Sequence, residues 1–127
     1  MGVRAIKGAT TVDEDGARAI CAATAELLQA ICAFNGISPG HAISVLLTAT
    51  TDLRSEFPAR GARDAGWGDV PMLCATEIDV PGALPRCIRV LVHAELSPEH
   101  VVRHVYLHEA KGLRPDLLGP GDLGATS

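Results

Sequence analysis

The chain has 127 residues and a mass of 13.2 kDa, enough for one domain with a sizeable core, and its 47% hydrophobic content excludes intrinsic disorder. A net charge of −4 and a pI of about 5.6 leave no basic field for nucleic acid or an anionic membrane surface, and one Trp, one Tyr and two Phe leave little to stack on bases or sugar rings. The mean hydropathy of +0.21 is high for a small monomer and predicts a shared subunit interface.

The first residues, MGVRAIKGATT, contain no apolar secretory core, and no apolar run approaches the roughly 20 residues that span a bilayer, so a cytoplasmic protein is expected. Val3 to Lys7 reads as a first strand ended by Gly8. Asp13 is the expected N-cap of a helix with Glu14 and Asp15 in its first turn, where carboxylates suit the helix dipole. Ala17, Ile20, Cys21, Thr24, Leu27, Leu28, Ile31 and Cys32 then recur at three- and four-residue intervals, and Gly36 is a fitting stop. Ser38-Pro39 reads as a short helical start. Ala42 to Thr50 is a nearly unbroken apolar run, rich in β-branched residues, which predicts a strand buried on both faces. Pro58 to Ala65 reads as a short helix closed by Gly66. Val70 to Glu77 and Cys87 to Glu95 read as strands separated by a loop at Pro81, Gly82 and Pro85, Ser97-Pro98 as a helical turn, and His104 to Ala110 as a last strand. The sum is a mixed α/β (α+β) domain over residues 1–118, about five strands covered by one long helix, with 119–127 a mobile tail.

The four cysteines, Cys21, Cys32, Cys74 and Cys87, form no CxxC pair. Cys21 and Cys32 lie about 16 Å apart along one helix at roughly 1.5 Å per residue, too far to bridge. Cys74 and Cys87 sit in separate strands; buried, reduced thiols are the expectation for all four.

Three groups of charges stand out. Arg89 lies inside an apolar strand, and alternation puts it on one face with Cys87 and Leu91; it is either solvated at a sheet edge, in an ion pair, or meeting a ligand anion. Glu77 ends another apolar strand, where it either partners Arg89 or accepts the proton of a substrate hydroxyl. Arg60 and Arg63, three apart on a helix, and Arg114 between Gly112 and Pro115 are either solvated surface or carboxylate-gripping forks. A competing constellation, His100, His104 and His108, would stack as a metal site on a helix, but Val101, Val102, Val105, Tyr106 and Leu107 favour a strand, so no metal is expected.

The segments RAIKGATTV, TATTDLRSEFPA, VPMLCATEIDV, GALPRCIRV, RHVYL and LRPDL, in this order and spacing, resemble the small monofunctional chorismate mutases of the AroH class up to about Leu117. The resemblance implies a homotrimeric pseudo-α/β barrel with active sites in the clefts between subunits. It further implies a cofactor-free Claisen rearrangement of chorismate to prephenate in the shikimate route to aromatic amino acids. Carried onto this sequence, Arg89 would face the ether oxygen, Glu77 with Cys74 the ring hydroxyl, and Tyr106 with Lys7 the side-chain carboxylate. Phe57, Ala59, Leu73 and Leu113 would line the pocket, with Arg63 and Arg114 at its mouth. Lys7 stands where the family usually has Arg and lacks the bidentate fork; Arg60 stands where relatives can have Lys and compensates; Leu73 replaces a possible Thr, and one residue is missing between Gly66 and Val70. An alternative compatible with Lys7 is a trimeric protein of the same fold that binds an anionic metabolite with weak or no mutase activity.

Overall fold

A computed structural model describes residues 1–113 and 124–125. Its elements are β1 (Gly2–Thr11), α1 (Ala17–Asn35), β2 (Ala42–Ala49), α2 (Pro58–Ala62), β3 (Met72–Thr76), β4 (Cys87–Leu96), β5 (His104–Tyr106) and β6 (Gly124–Ala125). The mixed sheet runs β3-β2-β4-β1-β5-β6, with β1 and β2 antiparallel to β4, β3 parallel to β2, and β5 parallel to β1. This is the expected architecture, five strands and one covering helix; the two-residue β6 adds to it a short pairing within the segment read as a tail. The rest of that segment lies outside the described residues.

One face of the sheet is dry. Ile6, Val45, Leu47, Val90, Val92 and Ala94 alternate onto it and pack against Leu27, Leu28 and Ile31 of α1. Gly8 belongs to this face: a Cβ there would sit 2.8 Å from the Ile31 Cδ1 atom, so glycine lets the helix lie close to the strand. That is why Gly8 does not end β1, as the sequence suggested, and the strand continues to Thr11. α1 has the length and apolarity of a bilayer-crossing helix, more than the sequence reading allowed, yet its Ile20, Thr24, Leu27, Leu28 and Ile31 are buried against this sheet.

Other boundaries also moved for local reasons. Gly16, not Asp13, caps α1, and no acidic residue lies in its first turn. Asp15 instead accepts the Arg54 and Ser55 amides, both at 2.9 Å, and the Arg54 bond leads in holding its carboxyl below the ordinary 3.8. Gly36 ends the helix as expected, in a left-handed conformation (φ 62°) with its amide bonded to the Cys32 carbonyl. α2 stops at Ala62 and passes into a wider turn at Arg63–Trp67, where Gly66 takes φ 95°. β5, the strand read as His104 to Ala110, ends at Tyr106, because His108 adopts φ 52°, contacts Glu26 of α1 at 2.8 Å and starts a 3-10 turn over His108–Leu113.

The other face of the sheet is open. Leu46 is 43% and Leu73 70% exposed, so β2 is not buried on both faces within one chain. Cys74 is exposed as well, against expectation, while Cys87 is buried, Cys21 and Cys32 are half-buried, and all four are free. Cys74 and Cys87 lie on β3 and β4, with β2 between them, which places them beyond bridging distance.

α2 touches α1 at one unforgiving point, where a Cβ on Gly61 would lie 2.5 Å from the Cys21 carbonyl oxygen. Gly61→Ala is therefore expected to lower unfolding stability by about 1–3 kcal/mol in urea titrations. Gly68→Ala, at φ −60° with open space around it, should leave stability unchanged or raise it by up to about 1 kcal/mol.

Candidate active site

Register decides what gathers on the open face. Arg89 of β4 pairs with Ala9 on one side and Thr48 on the other, Ala9 pairs in turn with Tyr106, and Leu91 lies between Lys7 and Leu46. Since side chains alternate, Lys7, Leu46, Thr48, Arg89, Leu91 and Tyr106 all project to the same side. Together with Glu77 they line a cleft of about 650 Å³. Arg89 is therefore not at a sheet edge; it is the third residue of β4, an interior strand paired on both sides. Two cations, one carboxylate, a phenol and apolar walls thus share one cavity, a set that suits a small dianion carrying a hydroxyl.

The carboxylate is held loosely against its cation. Glu77 follows the last residue of β3, with its amide bonded to the Ala49 carbonyl at 2.9 Å. Its Oε2 lies 3.7 Å from the Arg89 Nε and accepts the Thr48 hydroxyl proton. Both side chains remain partly open, Arg89 by 50% and Glu77 by 23%.

Two further contacts fix the frame. The Lys7 amide donates to the His104 Nδ1 at 2.9 Å, which joins β1 to β5 beside Tyr106; burial first, then the Lys7 ammonium, push the His104 pKa down, keeping the ring neutral. At the start of β4, Asp52 accepts the Arg86 amide at 2.9 Å and the Thr50 hydroxyl, while that hydroxyl oxygen accepts the Cys87 amide at 2.9 Å. Arg86 takes φ 47°, and its Nε donates to the Val12 carbonyl at 2.9 Å. This clamp sets the strand three residues before Arg89.

The remaining predicted residues lie elsewhere in the single chain. Phe57 and Cys74 line a second cleft with Leu53 and Pro58. Arg60 borders a groove between α1 and α2 with Cys21 and Asp64 and pairs with Glu56 at 3.8 Å. Ala59 is buried in the core, Arg63 is exposed and Leu73 projects from the open face of β3. Leu113 packs against Ala9, Tyr106 and Ala110, the first two of which line the main cleft. Arg114 lies outside the described residues. The three histidines go separate ways, His100 to the Asn35 carbonyl, His104 to Lys7 and His108 to Glu26, and among the described residues no metal-binding cluster forms.

The family model for chorismate mutase type I matches residues 3–117. The chain belongs to that family. It is 51% identical over 117 residues to the chorismate mutase AroH of Thermus thermophilus, across 91% of this chain and 96% of that one. It is 43% identical over 119 residues to the chorismate mutase AroH of Bacillus subtilis, across 92% and 94%. A solved chorismate mutase from Clostridium thermocellum superposes with a TM-score of 0.82 at 43% identity, covering 86% of this chain and 98% of its own. Family membership accounts for the cleft better than any single residue did, because Arg89, Glu77, Lys7 and Tyr106 come from four separate segments.

Reading this chorismate-mutase-family sequence missed Thr48 and the Thr50–Asp52 clamp. Their only signal is the run of oxygen-bearing side chains Thr48, Thr50, Thr51 and Asp52 in TATTD, a composition common where strands pass into turns. Burial acts to raise the Asp52 carboxyl, but the Thr50 hydroxyl and the Arg86 amide and guanidinium outweigh it and hold the pKa below 3.8. A depressed folded-state pKa stabilises above the unfolded value and is lost as pH falls through the folded one. Asp52→Asn should therefore lower the urea midpoint at neutral pH, and its difference from the wild type should shrink progressively below about pH 4.

Proposed function

We propose that this protein converts chorismate to prephenate by a Claisen rearrangement, as an isomerase of aromatic amino acid biosynthesis. The single observation that carries this reading is the meeting of Arg89, Lys7, Glu77 and Tyr106 in one apolar-walled cleft. Chorismate is a dicarboxylate that must fold into a chair-like conformer before its termini can bond, and gripping it supplies that conformer. One C–C bond forms as one C–O bond breaks within the same molecule. No proton or electron has to leave, so the chemistry requires neither nucleophile nor cofactor.

The roles follow from where charge develops. As the C–O bond lengthens, negative charge accumulates on the ether oxygen, and a preplaced Arg89 cation stabilises the transition state more than the ground state. Glu77 accepts the ring hydroxyl in a hydrogen bond, assisted by Cys74. Lys7 and Tyr106 hold the side-chain carboxylate. The binder that does not turn its ligand over is disfavoured, since the relatives and the structural neighbour named above are all chorismate mutases.

We further propose a homotrimer in which the Phe57–Cys74 rim of one subunit covers the Arg89 cleft of its neighbour, bringing Ala59, Arg60 and Leu73 with it. The exposed apolar residues Leu46, which lines the first cleft, Phe57, which lines the second, and Leu73 and Ile78 support this, because they are costly to leave in water. Leu113 would line the pocket, and Arg63 and Arg114 would help order its mouth. Its place is the cytoplasm, where unpaired thiols persist; burial pushes the Cys32 and Cys87 thiols up and keeps them protonated.

Loss of chorismate with equimolar prephenate formation is the direct assay; tight binding without turnover would contradict the reading. Subunit mixing tests the shared site. Arg89→Ala and Phe57→Asp should each be nearly inactive alone. Refolded together in equal amounts, random trimers should recover about one quarter of wild-type activity, because one in four interfaces joins two intact halves. No recovery would mean that each chain builds its site alone.

A further inference from the structure

Arg89 and Glu77 have conflicting interests. A guanidinium and a carboxylate in one cleft tend to close into a bidentate pair with N–O distances near 2.8 Å. Such a pair would occupy the guanidinium N–H groups and cancel the charge needed at the ether oxygen. Here the two groups stand 3.7 Å apart, and the same Glu77 oxygen that faces Arg89, Oε2, also accepts the Thr48 hydroxyl. Thr48 is the register partner of Arg89 on β2, half-buried and on the same face. Glu77 itself lies past the end of β3, where no ladder fixes its side chain.

We propose that Thr48 is a positioning residue that restrains Glu77, keeping Arg89 available to the reacting oxygen and leaving Glu77 Oε1 free for the substrate hydroxyl. The proposal rests on the mutase reading of this cleft. The requirement at position 48 is the hydroxyl, not the volume: valine has nearly the same shape but cannot donate. Serine keeps the donor.

The test is a set of Thr48→Val and Thr48→Ser variants made in the wild-type and Glu77→Ala backgrounds, with thermal midpoints measured in parallel. Thr48→Val is expected to lower kcat at least about tenfold with KM changed by less than about threefold, while Thr48→Ser stays within about threefold of the wild type in both. In the Glu77→Ala background, Thr48→Val should change kcat by less than about twofold, since there is no carboxylate left to restrain. A fully active Thr48→Val, or the same loss with and without Glu77, would overturn the proposal. A second readout does not depend on turnover: ligand-free crystals of Thr48→Val should show the Glu77–Arg89 separation closing from 3.7 Å to about 2.8 Å. An unchanged separation would overturn it. Absence of chorismate turnover by the wild type would sink the mutase reading alone, and the crystallographic comparison would still decide what Thr48 does.

Discussion

A cation carried on the open face of a central strand is the constraint on which the rest of the structure turns. Arg89 is flanked by Ile88 and Val90, both buried under α1, so the alternation of β4 leaves its side chain only one direction. The dry face thereby aims the wet one. Gly8 permits the close approach of α1, the apolar layer locks the register, and the register sets Lys7, Thr48, Arg89 and Tyr106 side by side. Sliding any of these strands by one residue would turn its site residue into the core.

The electrostatics are economical. The protein carries a net charge of −4, yet the cleft gathers two cations, Lys7 and Arg89, against the single carboxylate of Glu77. Arg89 is half-covered by its neighbours, and a cation that need not reorganise acts more fully on developing negative charge than one free in water. Glu77 is tolerated there at a distance. The hydroxyl of Thr48 and the hydrogen bond from its own amide to the Ala49 carbonyl hold it 3.7 Å from the Arg89 Nε. The Asp52 clamp does similar work at the backbone level, fixing the first residues of β4 at the strained Arg86.

Much of this was legible in the sequence, for identifiable reasons. The stripe from Ile20 to Ile31 named α1, and Gly36 named its end, because helical periodicity and a left-handed cap are local properties. Gly8 misled, since a glycine required for packing looks the same as one required for a turn. The three acidic residues before α1 misled likewise, because Asp15 bonds to a loop 39 residues away. Arg89, Glu77, Lys7 and Tyr106 could be named from the family resemblance, but that they share a cavity is a matter of strand order, which no local pattern encodes. Thr48 was invisible because its role exists only in relation to Glu77.

The account stands on the claim that the charge of Arg89, and not its bulk, lowers the barrier. Replacing Arg89 by citrulline in semisynthetic protein keeps the shape and hydrogen-bonding edge while removing the charge. Measured by chorismate turnover, this substitution should cost kcat on the order of a hundredfold or more, with KM changed much less. A citrulline enzyme with kcat near that of the wild type would contradict the account.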